Sequence, residues 1–137
     1  MNTPRFASTA PVPVVMLGDI LLVSLQGDLH DGTAEQLHQS VAQRIAHSTA
    51  TGVVIDISGV DVVDSFLARI LADIASTARV LAARTVLAGM RPAVAITLVE
   101  LGLTLPGLHT ALDVDRAREL LGQYTPAGVS SGAEDGP

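Results

Sequence analysis

Lysine, cysteine and tryptophan are all missing from this chain of 137 residues, and aromatic residues make up only 2% of it. Without cysteine there can be no disulfide, no thiolate nucleophile and no cysteine-ligated metal. Without lysine there can be no Schiff base and no Walker-type phosphate lysine. All eight basic residues are therefore arginine, and the net charge is -6. An acidic chain with two Phe and one Tyr has neither a phosphate-neutralising patch nor stacking platforms, which argues against nucleic acid as a partner. Mean hydropathy is +0.45, yet no apolar run approaches the ~20 residues of a spanning helix. The start, Met1-Asn-Thr-Pro-Arg-Phe6, lacks the apolar core of a signal peptide. The expectation is a soluble cytoplasmic protein that does not engage a membrane.

What is present is aliphatic. Hydrophobic residues reach 48%, so the core must be built from Leu, Val, Ile and Ala. The length suits one domain. Residues 1–11 hold prolines and small polar residues and predict a flexible arm. Residues 125–137 are Pro, Gly, Ser, Ala and acid and predict a disordered tail. Between them, residues 12–124 form the predicted domain. Val12 to Leu17 and Ile20 to Leu25 are apolar runs separated by Gly18-Asp19, a hairpin signal. A helix opening at Asp31 or Gly32 sets Ala34, Leu37, Val41 and Ile45 on one face. Gly52 to Ile57 reads as a central buried strand.

The helix beginning at Ser65 is expected to bury Phe66, Leu67, Ile70, Leu71, Ile74, Ala78 and Leu81, with Arg69, Asp73 and Ser76 outward. Thr85 to Ala88 is a further strand. Pro92 suits the first turn of a third helix, expected to pack through Ala93, Ile96, Leu98 and Leu101 and to end at Gly102. A short strand near Leu108 to Ala111 precedes a last helix capped by Asp113. Strands alternating with helices imply an α/β domain with a largely parallel core sheet.

Ser65 is the leading candidate site. It follows Asp56-Ile-Ser-Gly-Val-Asp-Val-Val-Asp64, where a hydroxyl would meet the positive end of a helix dipole. The simplest structural role there is that of a helix-capping serine. A phosphate on it would gain from the helix terminus and from Arg69, one turn on, and would be opposed by Asp61 and Asp64. Those three charged residues are the expected docking surface. The alternative of a metal-binding receiver pocket at Asp56, Asp61 and Asp64 fails for want of the lysine and of paired acids after the first strand. Asp56 is expected instead to bond the following turn. His30, His38, His47 and His109 lack metal-ligand spacing, and His38 and His47 are expected to be solvated. Thr97, a second hydroxyl, is expected to back-bond within its helix. No motif supplies a catalytic nucleophile or cradles a cofactor, so the expectation is a binding module and not an enzyme.

Two stretches, Asp56-Ile-Ser-Gly-Val-Asp-Val-Val-Asp-Ser65-Phe-Leu-Ala and Gly89-Met-Arg-Pro-Ala-Val-Ala-Ile-Thr97-Leu-Val-Glu-Leu-Gly102, resemble a STAS domain of the anti-sigma-factor-antagonist family. Within that family the chain looks most like the antagonist subunits of the stressosome, over roughly Val12 to Leu121. The resemblance implies a mixed sheet with helices packed against it. It also implies partners: a switch serine kinase, a STAS-domain co-antagonist, a phosphatase, and further copies in a large cytoplasmic homo- and hetero-oligomeric assembly that regulates stress signalling. Ser65 matches the family's phosphoacceptor. The unmodified protein would hold the kinase, and phosphorylation would release it. Thr97 lies where co-antagonists carry a second phosphothreonine; with only residues 1–11 ahead of the domain, the antagonist role is expected and Thr97 is not expected to be used. Two other roles share the fold: a simple antagonist that binds an anti-sigma kinase, and a soluble accessory subunit of a membrane transporter.

Overall fold

The structure, a computed structural model, describes residues 12–27, 31–102 and 108–124. The predicted arm and tail, and His30, lie outside these residues. The first hairpin pairs β1 (Val14–Leu17) antiparallel to β2 (Ile20–Gln26). Gly18, at φ 65, is the first of the two turn residues, the position a II′ hairpin turn reserves for glycine. Helix α1 (Asp31–Ala46) then crosses over to β3 (Gly52–Gly59), α2 (Ser65–Val80) to β4 (Arg84–Ala88), and α3 (Pro92–Glu100) to β5 (Leu108–Ala111). Helix α4 (Val114–Tyr124) closes the domain. The sheet order is β1-β2-β3-β4-β5, and every pair after the first is parallel.

Successive parallel crossovers of one hand place their helices on one face of a sheet. Leu37, Val41 and Ile45 of α1, five residues of α2, and Val94 and Leu98 of α3 accordingly share one core with Leu21, Val23, Val53, Ile55 and Leu87. On the other face Ala117 and Leu121 of α4 pack on Ile20, Val54, Val86 and Ala88. The central strand β3 is buried at Gly52 through Ile55 because both faces are covered, which is why it reads as a continuous apolar run. Both edge strands are short, which limits the exposed backbone available for stray pairing.

Several expectations need correction. Strand β1 begins at Val14, not Val12, and β3 runs on to Gly59, beyond Ile57, through a register shift opposite Ser24 and Gln26. In α2, Phe66, Ile70 and Leu81 are only half-buried, whereas Ala68 and Ala75 are fully inside. Small side chains there let α2 lie close to the sheet. In α3 the buried pair is Val94 and Leu98, while Ala93 is exposed, Ile96 is 58% exposed and Leu101 is 47% exposed. A helix whose only polar side chains are Thr97 and Glu100 offers no continuous polar face to fix its rotation from sequence, and its neighbours decided it. His38 is not simply solvated: its Nε2 lies 2.7 Å from the Thr77 hydroxyl, tying α1 to α2.

Candidate functional site

The parallel strands β2 to β5 all finish at one end of the sheet, where open α/β sheets commonly place their sites. The loop between β3 and α2 starts there. Asp56 turns the chain as expected: its Oδ1 accepts a 3.0 Å bond from the Ser58 amide. The Val60 amide donates to the Ile57 carbonyl at 3.0 Å. Val60 and Val63 are then buried to 1% and 3% exposure, while Asp61 and Val62 between them face solvent. The loop is thus pinned by two apolar anchors with an exposed span in the middle.

Asp64 ends the loop and caps α2. Its backbone is extended, at φ -113, and its Oδ1 accepts a 2.9 Å bond from the Leu67 amide, the geometry of a helix N-cap. The capping role foreseen for Ser65 therefore belongs to Asp64. Ser65 is the first helical residue, exposed, with its hydroxyl outside the capping bond. No acidic residue stands in the first turn of α2, so a negative group on Ser65 would meet the helix dipole with only the Asp64 cap nearby. Arg69 is exposed one turn farther along the same helix.

Asp61 does not stand as a free acid. It forms an ion pair with Arg91, and the Nε of Arg91 also donates 3.0 Å to the Ser58 carbonyl. Arg91 is the residue before Pro92, at the N-cap of α3, with no side-chain capping bond of its own. Sequence reasoning paired Ser65 with Arg69 by helical spacing and had no signal for a contact across two loops. The Arg-Pro step was visible only as a helix start. Gly89, at φ 77, makes the approach of these loops possible: a Cβ there would lie 2.9 Å from the Ser58 Cβ and 3.1 Å from Asp56 Oδ1. Asp113 caps α4 at the same end through the Arg116 amide at 2.8 Å. Asp56, Ser58, Gly89, Asp113 and Asp115 line a shallow acidic cleft between the strand ends.

Thr97 lies away from this loop, midway along α3. Its hydroxyl donates 3.0 Å to the Ala93 carbonyl, the back-bond expected of it. Among the described residues no helix is long and apolar enough to cross a membrane.

A mixed sheet of this order, with three crossover helices on one face and a closing helix on the other, defines one class of α/β domain. Residues 12–117 match the profile of the STAS domain, and the chain belongs to that family. Among solved structures, it is similar to a serine-to-glutamate variant of Moorella thermoacetica RsbS, with 36% identity and a TM-score of 0.72, covering 82% of this chain and 96% of that one. A chain from the molecular architecture of the stressosome, described as a signal integration and transduction hub, is 38% identical with a TM-score of 0.72, covering 82% and 97%. The Bacillus anti-sigma factor antagonist SpoIIAA in its phosphorylated form shares the fold at 17% identity and a TM-score of 0.60, over 80% of this chain and 98% of that one. Among curated proteins, the RsbT co-antagonist protein RsbRC of Bacillus subtilis is 32% identical over 100 residues, which are 73% of this chain and 35% of the relative. RsbRA of the same organism is 29% identical over 126 residues, 84% and 46%. The chain thus spans less than half the length of these co-antagonists.

Proposed function

We propose that this protein is a stressosome antagonist and scaffold: unmodified, it holds a switch serine kinase of the RsbT type, and phosphorylation of Ser65 releases that kinase. The observation that carries the reading is the exposed Ser65 hydroxyl at the start of α2, outside the capping bond that Asp64 makes. A phosphate there brings ~1.5 to 2 negative charges to the surface while the cap, the loop anchors and the core keep their contacts. The exposed surface formed by Asp61, paired with Arg91, by the Asp64 cap and by Arg69 one turn along α2 is the docking surface of this proposal. Likeness to RsbS and to the stressosome chain over four-fifths of the sequence supports assembly with STAS-domain co-antagonists and with further copies in a cytoplasmic complex. A phosphatase would reset the switch. The protein acts by binding, and the kinase brings its own ATP and magnesium.

Similarity to the RsbR co-antagonists favours a second reading, in which the chain takes the co-antagonist role and Thr97 is the modified residue. Against it, the Thr97 hydroxyl is engaged with the Ala93 carbonyl inside α3. Incubation with an RsbT-type kinase and ATP, followed by mass-spectrometric mapping, separates the two. The expected product carries one phosphate, on Ser65. Stoichiometric labelling elsewhere with Ser65 unmodified would overturn the proposal.

A further inference from the structure

We infer that Arg91 is a positioning residue for the modification of Ser65: by bridging the β3–α2 loop to the start of α3, it holds the loop in the one conformation a kinase can engage. The inference rests on the proposed role of Ser65 and assigns the control of that site to a residue on a different loop.

Three observations carry it. The loop is fixed by burial only at Val60 and Val63, and the intervening Asp61 and Val62 are exposed, Val62 to 75%. Arg91 makes two bonds, one to the Asp61 carboxylate in that unanchored span and one to the Ser58 carbonyl near the end of β3, and so ties the span to the sheet. A planar guanidinium can hold two acceptors in fixed relation, which a lysine ammonium does not do. The third observation is that the β4–α3 turn is built to come this close. Gly89 has a left-handed backbone, and the space where its side chain would be is occupied by Ser58 and Asp56. The turn carrying Arg91 and the loop that leads into Ser65 are therefore in direct contact.

The side chains of Arg91 and Asp61 are 53% and 73% exposed, so the bridge adds little to global stability. Its effect falls on how often the loop is correctly shaped. A substrate loop that is competent only part of the time is recognised with correspondingly weaker apparent affinity. Losing the bridge should raise KM for the protein substrate and leave kcat unchanged.

The test compares wild type with Arg91→Ala, Arg91→Lys and Ser65→Ala. Each is assayed for phosphorylation by a purified RsbT-type kinase, for thermal unfolding, and for amide hydrogen exchange of residues 60–64. Arg91→Ala is expected to raise KM about threefold, equivalent to about 0.7 kcal/mol, at unchanged kcat and melting temperature. Exchange of the loop amides should accelerate by about the same factor while the interior of α2 keeps its protection. Arg91→Lys should fall between the two. Wild-type KM and loop exchange in Arg91→Ala, with Ser65→Ala inert, would overturn the positioning role and leave Ser65 as acceptor. A KM defect that tracks a fall in melting temperature would overturn it as well. Continued labelling of Ser65→Ala at another residue would remove the Ser65 reading and this one with it.

Discussion

The two ends of the sheet are built by different means. Where the parallel strands begin, main-chain bonds supply most of the geometry: the Thr51 amide donates to the Asp19 carbonyl at 2.8 Å and the Arg84 amide to the Thr51 carbonyl at 3.1 Å, with the Ser48 hydroxyl accepting from the Ala50 amide at 3.1 Å. Helix α2 also ends there in a backbone-only motif. The Ala83 amide reaches the Ala78 carbonyl at 2.8 Å and the Ala82 amide the Arg79 carbonyl at 3.0 Å, the paired bonds of a Schellman turn. Where the strands finish, side chains do the equivalent work. Asp56 bonds a turn amide, Asp64 and Asp113 cap helices, and Asp61 and Arg91 join two loops. The charge differs too: the cavity at the first end is lined by Arg79, Arg84 and His109, the cleft at the second by Asp56, Asp113 and Asp115. Loops shaped by exposed side chains can change partners or charge without disturbing the sheet. That is the property a switch requires, and it belongs to the end that carries Ser65.

Substitutions at the two ends should therefore behave differently. The largest effect is expected for Gly89→Ala at the side-chain-built end. A left-handed backbone costs an alanine about 1–2 kcal/mol, and the overlap with Ser58 and Asp56 adds an overpacking cost, for a total of about 2–3 kcal/mol. Urea unfolding measures it; a loss below half a kcal/mol would mean the loops are not in close contact.

Next comes the cap. Asp64→Ala should cost about 1 kcal/mol by removing the bond to the Leu67 amide, whereas Ser65→Ala, which removes no cap, should stay within about 0.5 kcal/mol of wild type. The same unfolding experiment decides it, and the reverse ranking would return the capping role to Ser65. The smallest effect belongs to the backbone-built end. Ala82 is the only non-glycine described with a positive φ, 67, so Ala82→Gly relieves a strained turn and should stabilise by about 0.5–1 kcal/mol. It should leave Ser65 phosphorylation unaltered, because the Schellman turn lies at the far end of α2.

Much of this architecture was legible in the sequence because periodicity reports burial directly. Ala34, Leu37, Val41 and Ile45 of α1 are all inside, and Gly18, Gly102 and Asp113 take the turn and cap positions their chemistry suits. Legibility failed where neighbours rather than pattern decide. Helix α3 has apolar residues all round, so its buried side could not be read. Asp64 and Ser65 are adjacent residues of equal capping aptitude, and only the backbone path selects between them. The Asp61–Arg91 pair lies across a crossover connection and leaves no local spacing to detect. The sequence places the Ser65 hydroxyl on the surface, where the structure has it, but reads the carboxylates around it as a free acidic patch. In the structure one of them caps a helix and the other is paired with arginine.

The account stands on a separation between holding a partner and holding the fold. Titration of an RsbT-type kinase into wild type and into Ser65→Asp, with the melting temperature of each protein recorded, tests it most directly. The prediction is an affinity at least about tenfold weaker for Ser65→Asp, equivalent to about 1.4 kcal/mol, at a melting temperature within a few degrees of wild type. Equal affinities, or a loss of affinity accompanied by unfolding, would contradict it.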